Sequence, residues 1–292
     1  AFEILRTGAS SGGNFLDTAD VYGSGRSEEL IGKFLKETSG EFFVATKLGR
    51  QAHVFPDNCT KENLLRCTEE SLGRLGLEQL DLTQLHCLPA NVLQKGEAFD
   101  AMREQQAAGL IRNWGASVES VEEALLCLEE EGLASLQIIF NLFRQKPAES
   151  LLEKAKEKNV AIIVRLPLAS GLLSGKLSVD SVFSENDHRS FNENGELFNV
   201  GETFAGLGLE KGAELAEELR TFVPENFNMA EFALRWILDF DEVTTIIPGA
   251  SRSEQAKANF AVSNLPSLSD ELHERLKAFY EEKVEANVRG PY

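Results

Sequence analysis

Short apolar runs alternate along this chain with stretches in which apolar positions recur every three to four residues. The runs predict strands over Asn14–Thr18, Phe42–Leu48, Asp81–Leu88, Ile111–Ala116, Leu136–Leu142, Val160–Leu166 and Val243–Pro248. The periodic stretches predict helices over Glu28–Glu37, Lys61–Leu75, Gly96–Ala108, Val121–Glu131, Ala148–Lys158, Met229–Phe240 and Glu254–Val262, with Asp270–Val284 added at the end. Ser27, Thr60, Ser120, Asn228, Ser253 and Ser269 stand where N-caps belong. Strand followed by helix, repeated, is the pattern of a parallel sheet covered by helices. No repeat, low-complexity tract or linker divides the chain, so residues 1–292 read as one domain. The one long irregular segment, Gly175–Gly212, reads as a loop or lid.

Composition narrows the partners. A chain of 292 residues, 42% hydrophobic and 26% charged, can bury a sizeable core as one large barrel or two smaller domains. Its 29 Lys and Arg stand against 47 Asp and Glu, a net charge of −18 that repels phosphate backbones and anionic lipid at long range. Neither nucleic acid nor membrane is expected as a partner, and the oligomeric state is left open. A small anionic cofactor is compatible, because local cations and backbone N–H groups overcome a diffuse field. Cys59, Cys67, Cys87 and Cys127 form no CxxC pair and read as buried apolar residues of a reducing compartment. The N-terminus has no basic segment before a long apolar core, and the run Val160–Val164 falls far short of the ~20 residues that span a bilayer. A cytoplasmic protein is expected.

The candidate chemistry stands at the carboxyl ends of the strands, which a parallel barrel gathers on one face. Asp17 ends the first, Lys47 the second and His86 the third, while Tyr22 follows the first by five residues. Ser117 follows the fourth, Gln137 lies in the fifth and Arg165 in the sixth. Taken singly, each has an ordinary reading: an exposed strand-end lysine, a satisfied core histidine, an edge glutamine, a loop aromatic. Taken together they make a proton-transfer site. Tyr has an ordinary pKa of about 10, which an adjacent ammonium such as Lys47 lowers. Asp17 would hold that ammonium, and His86 would hydrogen-bond the oxygen that receives the proton. The four histidines, His53, His86, His188 and His273, are too scattered for a metal site. A second constellation, IIPGASRSEQ over Ile246–Gln255, joins a strand to a helix start through a glycine turn. It reads equally as an ordinary turn or as a phosphate site gripped by Arg252. No GxGxxG follows a first strand, so a Rossmann site is not expected.

DTADVYG with SEELIG, FVATKLG, DLTQLHCLP and IIPGASRSEQ resemble, in order and spacing, the signature segments of the aldo-keto reductase superfamily, from about Gly13 to the C-terminus. The resemblance, to the NADPH-dependent bacterial type, implies a (β/α)8 TIM barrel that reduces an aldehyde or ketone to an alcohol. It implies that Tyr22 donates the proton, that Asp17 and Lys47 tune it, and that His86 orients the carbonyl. It further implies that Ser117 and Gln137 hold the nicotinamide carboxamide and that the segment Arg165–Ser170 lies along NADPH, with Arg165, Leu166, Leu168 and Ser170 in contact. Lys176 and Arg189 would meet the phosphates, and Gly249, Ser251, Arg252, Gln255 and Asn259 would surround the 2′-phosphate and adenine.

The chain departs from the family pattern at three places. Val118 stands where many members have Asn, and Arg165 stands where many stack an aromatic ring on the nicotinamide. The family also has a strand ahead of the first helix, whereas here Ala1 is followed by FEILRTGASSGG, which reads as the tail of that helix. The expectation is therefore a barrel lacking its first strand, in a chain that is a fragment of a longer protein and whose activity is open. Two other functions compete. One is a non-catalytic, cofactor-binding regulatory member resembling potassium-channel β-subunits, against which His86 counts. The other is a Schiff-base lyase acting through Lys47, against which the carboxylate of Asp17 counts.

Overall fold

The computed structural model describes all residues, Ala1–Tyr292. Its centre is one sheet of seven strands: β1 (Phe15–Asp17), β2 (Phe43–Leu48), β3 (Leu80–His86), β4 (Ile111–Ser117), β5 (Leu133–Ile139), β6 (Ala161–Arg165) and β7 (Val243–Ile246). They pair in chain order, and every pairing is parallel. The apolar runs mark these strands well because both faces of the sheet are covered. The outer face carries Val44, Leu48, Leu85, Ala116, Leu136 and Val164 into the main core beneath the helices. The inner face carries a second cluster of Ala45, Leu82 and Ile163, against which Phe15 of β1 and Ile247 just past β7 also pack. Both end strands thus turn toward one interior plug, and the sheet is curled into a half-barrel.

Helices cover the outside. Lys61–Leu75 buries Leu64, Cys67, Thr68, Ser71 and Leu75, a stripe repeating every three to four residues, and is capped by the Thr60 side chain and ended by Gly76 at φ 68°. Each fully buried leucine of such a stripe contributes about 1.5–3 kcal/mol. Ser120, Asn228 and Ser269 cap as expected. Ser27 does not: the helix Arg26–Glu37 begins two residues earlier after Gly25 at φ 91°, and the Ser27 hydroxyl instead accepts a hydrogen bond from Thr18 at the end of β1 (2.8 Å). Ser253 likewise starts a helix, Ser253–Ala261, whose cap position is Arg252. The helix expected over Ala148–Lys158 is broken into Pro147–Ser150 and Leu152–Glu157. The segment 175–212 is mostly irregular, but its end opens the helix Leu209–Leu219, which buries Ala213, Leu215, Ala216 and Leu219.

The first helix, Phe2–Ser10, buries no residue fully. It leans on Ser253–Ala261 through Phe260, whose ring lies where a β-carbon on Gly13 would fall, 2.3 Å away, and 3.3 Å from one on Gly8. Gly8 within this helix and Gly13 just past it thus let the ring approach. All four cysteines are free and buried. Cys59 and Cys87 sit in turns beside a helix start and a strand end, not inside the elements. No helix is long and apolar enough to cross a membrane.

Candidate active site

Register decides which side chains meet. Residues opposite one another in a parallel ladder point to the same face. His86 on β3 pairs with Ser117 on β4, and Ser117 with Gln137 on β5, while Lys47 on β2 pairs with Gln84 on β3. Alternation from the inner residues Phe15, Ala45, Leu82 and Ile163 puts Asp17, Lys47, Gln84, His86 and Arg165 on that inner face. They form a polar layer resting on an apolar plug.

Within that layer the expected four residues come together. The Lys47 ammonium, fully buried, donates to Asp17 Oδ2 at 2.5 Å and to the Thr18 carbonyl at 2.8 Å. The same ammonium lies 5.2 Å from the centre of the Tyr22 ring, and that ring meets His86 edge-on at 5.9 Å. Behind β2, Thr46 donates to Glu28 (2.5 Å), a fully buried carboxylate also held by Arg74 Nε at 2.6 Å. The helix Arg26–Glu37 is thereby bolted to the strand that carries Lys47.

Tyr22 keeps its proton more firmly than expected. The residue is 44% exposed, but its hydroxyl end is enclosed, and desolvation raises the phenol pKa above its ordinary value. Lys47 pulls the value down, as the sequence implies, yet Asp17 opposes it and burial outweighs it. The reason is the short ion pair, which leaves little net positive charge for Tyr22 to feel. His86 is driven well below an ordinary histidine by desolvation, with Lys47, Arg50 and Arg165 adding to the effect. It stays neutral near pH 7, and its Nδ1 is buried without a partner.

Beside these four residues, Arg165 stands among charges the sequence did not reveal, Arg50, Glu119 and Glu202. Arg165 NH1 pairs with Glu202 at 3.2 Å, and its NH2 donates to the Val118 carbonyl at 3.1 Å and toward Cys87 Sγ at 3.7 Å. Arg50 pairs with Glu119 at 2.6 Å and donates to the His86 carbonyl at 3.3 Å. Cys87, Glu119 and Glu202 offer ligand atoms within 4.8 Å of one another, but the two guanidinium groups already hold both carboxylates. Ser117 Oγ lies 3.6 Å from Cys87 Sγ. Gln137 does not stand free: its Nε2 donates to Asp17 Oδ1 at 2.8 Å. Glu202 could not be foreseen, since it lies in an irregular stretch 37 residues past Arg165. Gln84, beside Lys47, is buried with neither amide atom partnered.

The candidate cofactor residues fall into two further groups. The carbonyl of Leu166 accepts from Asn141 (2.9 Å), Leu168 is half-buried, and Ser170 Oγ donates to the Glu202 carbonyl (3.0 Å). Lys176 is exposed, whereas Arg189 is committed to Asp187 through both Nε (3.0 Å) and NH2 (2.6 Å) and lies over the Phe183 ring. At the start of the last barrel helix, Gln255 Oε1 accepts from Ser251 N and Oγ (2.9 Å each), and Asn259 donates to the Gly249 carbonyl at 3.4 Å. A β-carbon on Gly249 would meet nothing within 4 Å, and Arg252 is exposed.

Asp20, two residues before Tyr22 in the chain, adds a pH-dependent element. Burial pushes its carboxyl up to about 6, against the pull of the hydrogen bond from Gln51 (2.9 Å), and its Oδ1 has no partner. A carboxyl whose folded pKa is raised favours the folded state below its unfolded value, near 4, and loses that advantage as pH rises through about 6. Asp20→Asn should therefore raise Tm at pH 7.5, raise it less at pH 5, and give almost no advantage below about pH 4. An advantage equal at all three pH values would contradict the assignment.

A model of the Aldo/keto reductase family matches residues 1–281. The chain is 28% identical over 277 residues to the uncharacterized oxidoreductase YqkF of Bacillus subtilis, covering 93% of this chain and 84% of that protein. It is 26% identical over 278 residues to an aldo-keto reductase of Schizosaccharomyces pombe whose name specifies NADP(+), covering 91% and 78%. Among solved structures it is similar to a glycerol dehydrogenase from Gluconobacter oxydans, with 27% identity and a TM-score of 0.78 over 97% of this chain and 85% of that one.

Proposed function

We start from the fact that this chain belongs to the aldo/keto reductase family, and propose that it reduces an aldehyde or ketone with a proton from Tyr22. The family makes it an NAD(P)H-dependent oxidoreductase, and NADPH is the cofactor. The observation that carries the mechanism is the contact of one buried ammonium, Lys47, with both the Asp17 carboxylate and the Tyr22 ring. In this reading Tyr22, neutral and protonated, gives its proton to the carbonyl oxygen, and neutral His86 orients that oxygen by a hydrogen bond. Bound NADPH supplies the hydride.

The residues present fit that cofactor at its two ends. His86 Nδ1 and Arg165 Nε are buried polar atoms without partners, carried by two residues of the polar layer. The open backbone at Gly249, the exposed Arg252 and the helix start at Ser253 suit a phosphate. Ser117, Gln137, Arg165, Leu166, Leu168 and Ser170 would hold the nicotinamide half. Lys176 would reach the phosphates, and Gly249, Ser251, Arg252, Gln255 and Asn259 would hold the adenosine end. Arg189 would have to leave Asp187 to join them. The same proposal includes an eight-stranded barrel, with one more strand between β7 and β1 than this sheet contains, forming one unit over 1–292. Two free strand edges facing one interior cluster support it.

NADPH titration by fluorescence, followed by turnover of an aromatic aldehyde, tests the reading. Binding with Tyr22-dependent turnover supports it. Binding without turnover would favour the regulatory reading, which the comparisons do not, and borohydride trapping at Lys47 would favour a lyase. Arg252→Ala should weaken NADPH by roughly 5- to 20-fold, about the worth of one charge-assisted contact, while sparing NADH. Equal losses for both would remove Arg252 from the 2′-phosphate.

A further inference from the structure

We propose that Gln137 is a positioning residue for the proton-transfer pair, fixing Asp17 so that Asp17 in turn fixes Lys47. The proposal rests on the reading of Tyr22 as the proton donor. Its Nε2 donates to Asp17 Oδ1 at 2.8 Å while Asp17 Oδ2 accepts from Lys47 at 2.5 Å, so each carboxylate oxygen has one partner from a different strand. β5 is four strands from β1 in the sheet, and the bond therefore crosses the concave interior, joining residues 120 apart in sequence.

The chemistry suits positioning. A primary amide donates without adding charge, so it can hold Asp17 without competing with Lys47 for the negative charge. Held at one oxygen only, a carboxylate turns about its last torsion, which is broad and soft. Held at both, it presents Oδ2 to Lys47 in one geometry, and a third bond from Lys47 to the Thr18 carbonyl completes the fixture. The layer below is filled by Phe15, Ala45, Leu82, Ile163 and Ile247, and an apolar residue at 137 would continue that filling at no cost in desolvation. Gln84 gives the contrast: the same residue type, on the same inner face, with neither amide atom partnered.

The test uses the full chain oxidising an aromatic alcohol with saturating NADP+, because in that direction Tyr22 must first lose its proton and the acid limb of kcat reports it. Gln137→Met should lower kcat roughly 10- to 100-fold, as misplacement of a catalytic group does. It should also move the acid limb to lower pH by about one unit, because a loosened Asp17 cancels less of the Lys47 charge that favours the phenolate. Gln84→Met should leave the limb in place. In an Asp17→Asn background, Gln137→Met should add no further shift. If Gln137→Met does not fold, Gln137→Glu carries the test: a second carboxylate against Asp17 makes the pair share a proton and adds a transition to the limb. A higher Kd for NADPH with an unmoved limb would reduce Gln137 to a cofactor contact and overturn the proposal. Undiminished turnover by Tyr22→Phe would instead overturn the parent reading.

Discussion

Tyr22→Phe should lower kcat for carbonyl reduction by roughly 10²- to 10⁴-fold while leaving the fold and NADPH binding close to wild type. The ring contacts that seat Tyr22, edge-on to His86 and near the Lys47 ammonium, do not involve the hydroxyl, and phenylalanine keeps them. What is lost is the one proton aimed at the substrate oxygen. Because burial holds the phenol pKa above its ordinary value, the wild type should stay active in reduction well into the alkaline range. The opposite reaction needs the phenolate and should weaken as pH falls. Steady-state kinetics in both directions and a fluorescence titration with NADPH check this. A Tyr22→Phe enzyme within tenfold of wild type would mean that the proton comes from elsewhere.

Lys47→Met should have the largest combined effect, losing turnover and about 3–5 kcal/mol of stability. The lysine is fully buried and Asp17 nearly so, and removing the ammonium leaves a carboxylate with only the Gln137 amide against it. A buried pair is weak evidence for net stabilisation, but breaking one half of it is costly. The double variant Asp17→Asn/Lys47→Met should therefore recover part of the stability while remaining inactive. Urea denaturation at pH 7.5 separates the two effects. A single variant as stable as wild type would show that water reaches this layer.

The meeting of Asp17, Lys47 and His86 was legible because strand ends in a parallel sheet converge by geometry, and each of the three stands at the end of an apolar run. Strands β2 to β6 were legible for a related reason: with both faces largely covered, each carries a cluster of apolar residues, although that of β5 places the strand three residues too late. The partners that restrain the site were not. Arg50, Glu119 and Glu202 reach it from turns and an irregular segment, where no period relates position to direction. The Gln137 bond was hidden differently, since the residue was found but its partner lies across the interior and no spacing along the chain encodes that. The sign of the net shift at Tyr22 also escaped, because it depends on how much of the Lys47 charge Asp17 cancels. Ser27 misled as a cap because Gly25, at positive φ, could start the helix sooner.

The meeting of Phe260 with Gly8 and Gly13 makes the seam of this half-barrel adjustable. Backbone ladders step neighbouring strands apart at one fixed interval of about 4.8 Å, but a side-chain wedge sets a spacing by its own volume. Asp17 lies on one bank of that seam, and the turn from Ile247 to Arg252 lies on the other. A change in the size of the residue at 260 should therefore move Asp17 relative to the turn at Gly249–Arg252, the two ends that the proposed NADPH would bridge.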